Sequence, residues 1–271
     1  MFNHISTQAN KLVSMTKRIN SNSKTKVIAI TSGKGGVGKS TIASNIAYLM
    51  SQKDLKVAIL DADIGLSNLQ VLFDIKPKNT FFDYFDGNAT IDEILLSTGN
   101  KNVTLIAGQS GFQYTNKNTS MVFTTIVDEI VSLDRYDILL IDTGAGINEH
   151  VQEFLELTDN IIAITTTDPS ALTDVYALIK MLSRKKNKMM LCFNHTSKYE
   201  IGETITKSIT NLAVKNKLNR NFMVKYIGNV GDSKSISTTG RLRKLYTKEF
   251  MYEQAAVQLD TLVNNLIKEL G

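Results

Sequence analysis

Residues 33–40 read Gly-Lys-Gly-Gly-Val-Gly-Lys-Ser and follow an apolar, β-branched run at 26–31. Glycines at this spacing let the backbone bend until its N–H groups converge on an anion. A helical pattern starts at Thr41, and the positive end of its dipole would favour negative charge at the loop. Lys39 is placed to neutralise β/γ-phosphate charge, the Ser40 hydroxyl to ligate Mg²⁺, and Thr41 to reach the α-phosphate. Gly35, Gly36, Val37 and Gly38 supply the backbone donors of the cradle. The chemistry of this stretch is therefore the binding of a nucleoside triphosphate with its magnesium.

Two further runs carry acids that suit the same chemistry. Val57-Ala58-Ile59-Leu60-Asp61-Ala62-Asp63 ends a predicted strand with carboxylates at alternate positions, on one face of the chain. Tyr136-Asp137-Ile138-Leu139-Leu140-Ile141-Asp142 ends another. Carboxyl ends of parallel strands point at the crevice where ligands bind. Asp142 is the expected Walker B residue and Asp61 a second, outer-shell partner of Mg²⁺. The segment Asp142-Thr143-Gly144-Ala145-Gly146 would form a loop that senses the γ-phosphate, with Gly144 among its N–H donors. The guanine-reading pattern N-K-x-D is absent, so ATP is expected in preference to GTP.

The elements that must hold these residues alternate along the chain. Candidate strands lie at 26–31, 56–61, 103–107, 136–142, 160–165, 189–194 and 224–230. Helical patterns lie between them, at 41–51, 119–133, 170–183 and 201–217. Runs such as Ile138-Leu139-Leu140-Ile141 are apolar at every position, as strands buried on both faces require. The predicted class is α/β, a mostly parallel twisted sheet flanked by helices. Residues 1–25 read as an amphipathic helix (Ile5, Ala9, Leu12, Met15, Ile19) and a polar linker, and 26–271 as one domain.

Composition narrows the function classes. The chain has 271 residues, 42% hydrophobic and 21% charged, enough to bury a core without disulfides. Its single cysteine, Cys192, lies in an apolar run and reads as a buried strand residue, which excludes a cluster-donating Cys-x-x-Cys site. No apolar stretch is long enough to span a bilayer, and no secretory signal core is evident, so a cytoplasmic protein is expected. The net charge of +5 belongs to the first 26 residues, where Lys11, Lys17, Arg18, Lys24 and Lys26 meet no acid. The rest of the chain is balanced, so no specific nucleic-acid surface is expected.

Lys34, just after Gly33, completes the tract K-G-G-V-G-K-S, which resembles the deviant Walker A motif of the MinD/ParA superfamily. The resemblance covers residues 26–270. It implies a P-loop NTPase of the MinD/ParA type with Mg-dependent ATP hydrolysis and an ATP-driven homodimer. In that dimer Lys34 crosses the interface to the partner's phosphates, as an arginine finger does in trans. Lys34, Lys39 and Asp63 then take the catalytic roles, with Asp63 positioning the attacking water. Asn194 matches the asparagine that contacts adenine. Relatives often carry proline where Gly231 stands.

Two features resemble the flagellar branch of the superfamily, known as FlhG, FleN or YlxH. One is D-T-G-A-G-I at 142–147, since MinD proper usually has proline where Gly144 stands. The other is Thr7-Gln8-Ala9-Asn10-Lys11-Leu12, similar to the element D-Q-A-x-x-L-R. The match rests on Gln8, Ala9 and Leu12, because Thr7 replaces Asp and Val13 replaces Arg. In that branch the element contacts the FlhF GTPase and stimulates its hydrolysis. The implied role is regulation of flagellar number and placement through an FlhF-type GTPase and basal-body or regulatory proteins. The rival expectations are a cell-division or DNA-partition positioning ATPase, and a nucleotide-gated binding module with little turnover.

MinD-type proteins end in a basic amphipathic membrane helix. Residues 250–270 are amphipathic, yet Glu253, Asp260 and Glu269 stand against Lys268 alone. The segment is therefore expected to pack on the sheet, with no membrane helix evident and any peripheral contact with the inner membrane made elsewhere. The basic groups Lys234, Arg241, Arg243, Lys244 and Lys248, and Arg184, Lys185, Lys186 and Lys188, are expected to be a solvated helix face and a solvated helix end.

Overall fold

The computed structural model describes residues 23–63, 68–108, 119–219 and 221–271. Among them the strands are β1 (Lys26–Ser32), β2 (Val57–Ala62), β3 (Leu95–Ser97), β4 (Val103–Ile106), β5 (Ile138–Ala145), β6 (Asn160–Thr165), β7 (Lys188–Phe193) and β8 (Met223–Asn229). The helices are α1 (Lys39–Ser51), α2 (Leu69–Leu72), α3 (Phe81–Phe85), α4 (Ile91–Ile94), α5 (Thr119–Ser132), α6 (Glu149–Leu157), α7 (Pro169–Leu182), α8 (Tyr199–Lys215), α9 (Lys234–Arg241), α10 (Tyr246–Glu249) and α11 (Gln254–Leu270).

The strands form one eight-stranded sheet in the order β3-β4-β2-β5-β1-β6-β7-β8. Every pairing is parallel except β3 with β4. The chain builds outward from β1 on one side through β2, then on the other through β6, β7 and β8. That reversal opens a crevice at the carboxyl end of β1, the place where open parallel sheets bind ligands.

Alternation along each strand sorts the core into two layers. Ile28, Ile30, Ile59 and Leu140 face α1 and α11, joined by Ile42, Ile46, Leu259 and Leu266. The opposite face carries Leu60, Leu139 and Ile141 against Phe123, Ile126 and Phe154, and Ala29, Ile161 and Ala163 against Val175 and Leu178. Both faces are covered, which is why the strand sequences are apolar throughout. Burying a Leu or Ile side chain contributes ~2 kcal/mol, so these layers dominate the stability of the sheet.

The predicted strands and long helices appear with ends shifted by a few residues, and some details differ. β5 runs on to Ala145, so most of the expected sensor loop is extended backbone, with Ala145 opposite Ser32 of β1. The C-terminal helix starts at Gln254 rather than 250. Just before it, the Glu253 carboxylate accepts from the hydroxyls of Ser233, Ser235 and Tyr246 and pins the entry. The helix packs on α1 and β8, as expected of a final domain helix.

Within the 184–188 cluster, Lys186 departs from a purely solvated reading. Lys186 is largely buried, pairs with Asp159 at 3.1 Å and donates to the Glu156 carbonyl at the same distance. Lys185 also pairs with Glu156, so this cluster ties the end of α7 to the end of α6. Lys234, Arg241, Arg243, Lys244 and Lys248 are exposed, as expected of a solvated face, with Arg243 paired to Asp74 and Lys244 to Glu249 at the surface. Cys192 is fully buried on β7, and burial pushes its thiol far above the usual range.

Candidate active site

The floor of the site is made by three adjacent strand ends. Asp142 on β5 stands in register with Ile30 of β1 on one side and Asp61 of β2 on the other. The Lys39 ammonium, at the first residue of α1, donates to Asp142 Oδ1 at 2.7 Å. The two side chains are 6% and 1% exposed, so this is a buried ion pair. Burying the pair costs desolvation on both groups, which their mutual attraction offsets only while both remain.

Asp61 is also buried. It accepts the Leu69 N–H at 3.0 Å, but burial and the nearby Asp142 charge push its carboxyl up to about 8. Asp63 is half-buried, and burial raises it while Lys39 opposes the rise. A Cβ placed on Gly144 would lie 3.5 Å from Asp63 Oδ1, so Asp63 leans over the end of β5.

The loop between β1 and α1 closes the floor. Gly36 (φ 79°) and Gly38 (φ 86°) adopt left-handed backbone, which lets the loop turn into the helix. Gly33 packs directly on α7: a Cβ there would come within 2.5 Å of the Asp174 Cβ. Ser32 Oγ donates to the Lys34 carbonyl at 2.9 Å, and Gly146 N–H donates to the Ser32 carbonyl at 2.8 Å. The loop and the end of β5 are thus stitched together. Ser40 and Thr41 follow Lys39 in the first turn of α1, where N–H groups lack helical partners.

Whether these residues suit magnesium can be tested on their own geometry. Asp142 Oδ2 is buried and meets no hydrogen-bond donor among the described residues, an acceptor left over after Lys39 is paired. No cluster of three His, Cys, Asp or Glu among the described residues could cage a metal by itself. Mg²⁺ takes one or two carboxylates and completes its shell with water and substrate phosphates, which the unpartnered Asp142 oxygen beside Asp61 suits. Ser40, Asp142 and Asp61 are the residues that would hold it.

The expected site residues therefore fall into four places. Lys39, Ser40, Thr41, Asp61, Asp63, Asp142 and Gly144 converge around the carboxyl ends of β1, β2 and β5, with residues 35–38 forming the loop above them. Lys34 is exposed on the rim, its ammonium donating to Ser170 Oγ at 3.0 Å at the start of α7. Asn194 lies beyond the end of β7, and its side-chain amide donates to the Val37 carbonyl at 2.8 Å. Gln8, Ala9 and Leu12 lie outside the described residues.

Sequence reasoning missed Gln258. Its amide accepts from Gly231 N–H at 2.8 Å and donates to the Ser197 carbonyl at 2.9 Å, joining the loops after β7 and β8. A proline at 231 would lack that N–H. Nothing local marks Gln258, because both partners come from elsewhere in the chain.

Comparison with known proteins agrees with this fold. The ParA family, described as NUBPL iron-transfer P-loop NTPase, matches residues 23–267. The flagellum site-determining protein YlxH of Helicobacter pylori is 35% identical over 91% of this chain and 83% of its own length. The antiactivator FleN of Pseudomonas aeruginosa is 34% identical over 62% of this chain and 60% of its own. The solved septum site-determining protein MinD of Pyrococcus horikoshii, complexed with Mg-ADP, shares the fold with a TM-score of 0.73. It is 20% identical, and the match covers 91% of this chain and 98% of that one. With its phosphate loop, paired acids and parallel sheet, the chain belongs to the ParA/MinD family of P-loop NTPases, and its reaction is the hydrolysis of ATP.

Proposed function

We propose that this ATPase dimerises around Mg-ATP and controls the number and placement of flagella through a partner GTPase of the FlhF type. The observation that carries the reading is the 35% identity to a flagellum site-determining protein over 91% of the chain. Residues 26–271 act as the ATPase domain and residues 1–25 as a segment that docks on the partner, through Gln8, Ala9 and Leu12.

In this reading the triphosphate takes Lys39 away from Asp142. Asp142 and Asp61 would then hold the magnesium that accompanies the nucleotide, with Ser40 as the third holder. Bound magnesium would neutralise charge on the transferring phosphoryl group. Asn194 contacts the adenine, and the loop residues 35–38 with Thr41 and Gly144 donate to the phosphates. Lys34 swings from Ser170 across to the second protomer's phosphates, where its attraction strengthens as negative charge builds in the transition state. Asp63 orients the attacking water.

No described helix is long and apolar enough to cross a membrane. The balanced charge of residues 27–271 gives little support to a DNA-partition role. Sedimentation of the Asp63→Ala protein tests the dimer. With hydrolysis blocked, saturating Mg-ATP should hold it as a dimer, and a protein that stays monomeric refutes the reading. Counting flagella in cells lacking the chain tests the role: an unchanged number and position would refute it.

A further inference from the structure

Asn194 is nine-tenths buried at the end of β7, and its backbone is held rigidly. Its N–H donates to the Thr165 carbonyl at 2.7 Å, and its own carbonyl accepts from Thr196 Oγ1 at 3.1 Å. From that base the side chain reaches the phosphate loop and meets the Val37 carbonyl at 2.8 Å. A carbonyl can only accept, so the amide presents its NH₂ end. The contact has a second signature at Gly38. A Cβ built there would fall 2.4 Å from Asn194 Nδ2, so the amide occupies the space a side chain at 38 would need.

The consequence follows from peptide planarity. The Val37 C=O and the Gly38 N–H belong to one peptide unit, and no described peptide bond is cis. In a trans unit the two groups point in opposite directions. Gly38 has no side chain to restrict its backbone, so this unit is among the freest of the loop to rotate. Holding the carbonyl therefore fixes the direction of the Gly38 N–H, one of the donors such a loop offers to phosphate.

We propose that Asn194 is a positioning residue for the phosphate loop, setting the Val37–Gly38 peptide for phosphate binding before any base is recognised. The proposal rests on residues 33–41 being the phosphate site. It predicts something that base recognition alone does not: the amide should matter for a ligand that has no base.

The test measures binding of Mg-ATP and of Mg-tripolyphosphate to the full chain carrying Asn194→Ala and Asn194→Leu. Leucine keeps the branched shape of asparagine without the donor, at a larger volume, so it serves if the space left by alanine loosens the fold. Losing one buried hydrogen bond should weaken both ligands by about five- to tenfold. The thermal midpoint of the nucleotide-free Asn194→Leu protein should fall by no more than the few degrees that one lost buried hydrogen bond costs, and binding is read well below it, which separates positioning from general loosening. If tripolyphosphate binds the variants as well as the unaltered chain while ATP binds less well, Asn194 reads the base only and the proposal falls. It also falls if neither affinity changes, or if both fall only in step with a lowered thermal midpoint. A Lys39→Ala protein that kept its ATP affinity would refute the phosphate-loop reading itself, and the proposal with it.

Discussion

Lys39 and Lys34 lie on one loop and occupy opposite environments. Lys39 is buried beside Asp142 at the floor of the site, where low dielectric makes a lost partner costly. Lys34 is exposed on the rim, bonded to the Ser170 hydroxyl, where water can replace that bond at little cost. The contrast teaches that the two lysines answer different questions. The floor lysine is committed to its own chain's fold and phosphate site, while the rim lysine is held lightly and can be given to another molecule.

Breaking the floor should have the largest effect. Lys39→Ala removes the charge facing the phosphates and leaves Asp142 buried without its partner. ATP affinity should drop by ~100-fold or more in calorimetry, and the nucleotide-free protein should lose about 3 kcal/mol in a denaturant titration. Near-unaltered stability would show that Asp142 finds another donor.

Lys34→Ala should separate the rim from the floor. Its ATP affinity should stay within about threefold of the unaltered chain, because the exposed lysine contributes only a weakly held contact. Turnover and ATP-dependent dimerisation should be lost. Equal binding defects in Lys34→Ala and Lys39→Ala would erase the distinction between the two regions.

A third prediction sharpens the account of the floor. The folded state holds Asp61 protonated up to about pH 8, far above the ordinary carboxylate value. A carboxyl raised on folding stabilises the protein while it is protonated. That contribution is complete below the ordinary aspartate range, falls as pH rises through it, and is gone above about 8. The melting temperature of the nucleotide- and magnesium-free protein should therefore fall between about pH 4 and pH 8 through this group. Asp61→Asn should flatten that part of the profile, and an unaltered slope would rule out Asp61 as its source.

The smallest effect on the ATPase itself should come from the tail. Deleting residues 2–20 should shift the melting temperature by less than about 2 °C and leave the ATP-driven dimer intact. Stimulation of an FlhF-type GTPase should disappear. A large loss of stability with stimulation retained would place the tail against its own domain.

Much of the architecture was legible because its signals are local and periodic. Apolar runs that never alternate can only be strands covered on both faces, and they gave the parallel sheet before any coordinates. The segment between β2 and β4 was harder. Its helices α2, α3 and α4 are too short for a periodic stripe, and β3 is a three-residue antiparallel edge. Capping boxes at Thr80 with Asp83 and at Thr90 with Glu93 were the available signals, since each acid returns to the N–H of its capping threonine.

The sequence by itself determined which residues could bind phosphate, because a glycine-rich loop between a strand and a helix carries its chemistry in adjacent positions. It also picked out Asp61 and Asp142, since the acids interrupt apolar runs, although β5 continues past Asp142 to Ala145. Only the tertiary structure decided who meets whom. Asp142 pairs with Lys39 because β1 and β5 are neighbours, a fact of strand order that neither segment encodes alone. Asn194 reaches Val37, and Gln258 ties the Ser197 and Gly231 loops together, across long stretches of chain. Such contacts arise when separate apolar faces are buried in one sheet, which brings distant polar groups into a shared interior where each must find a partner.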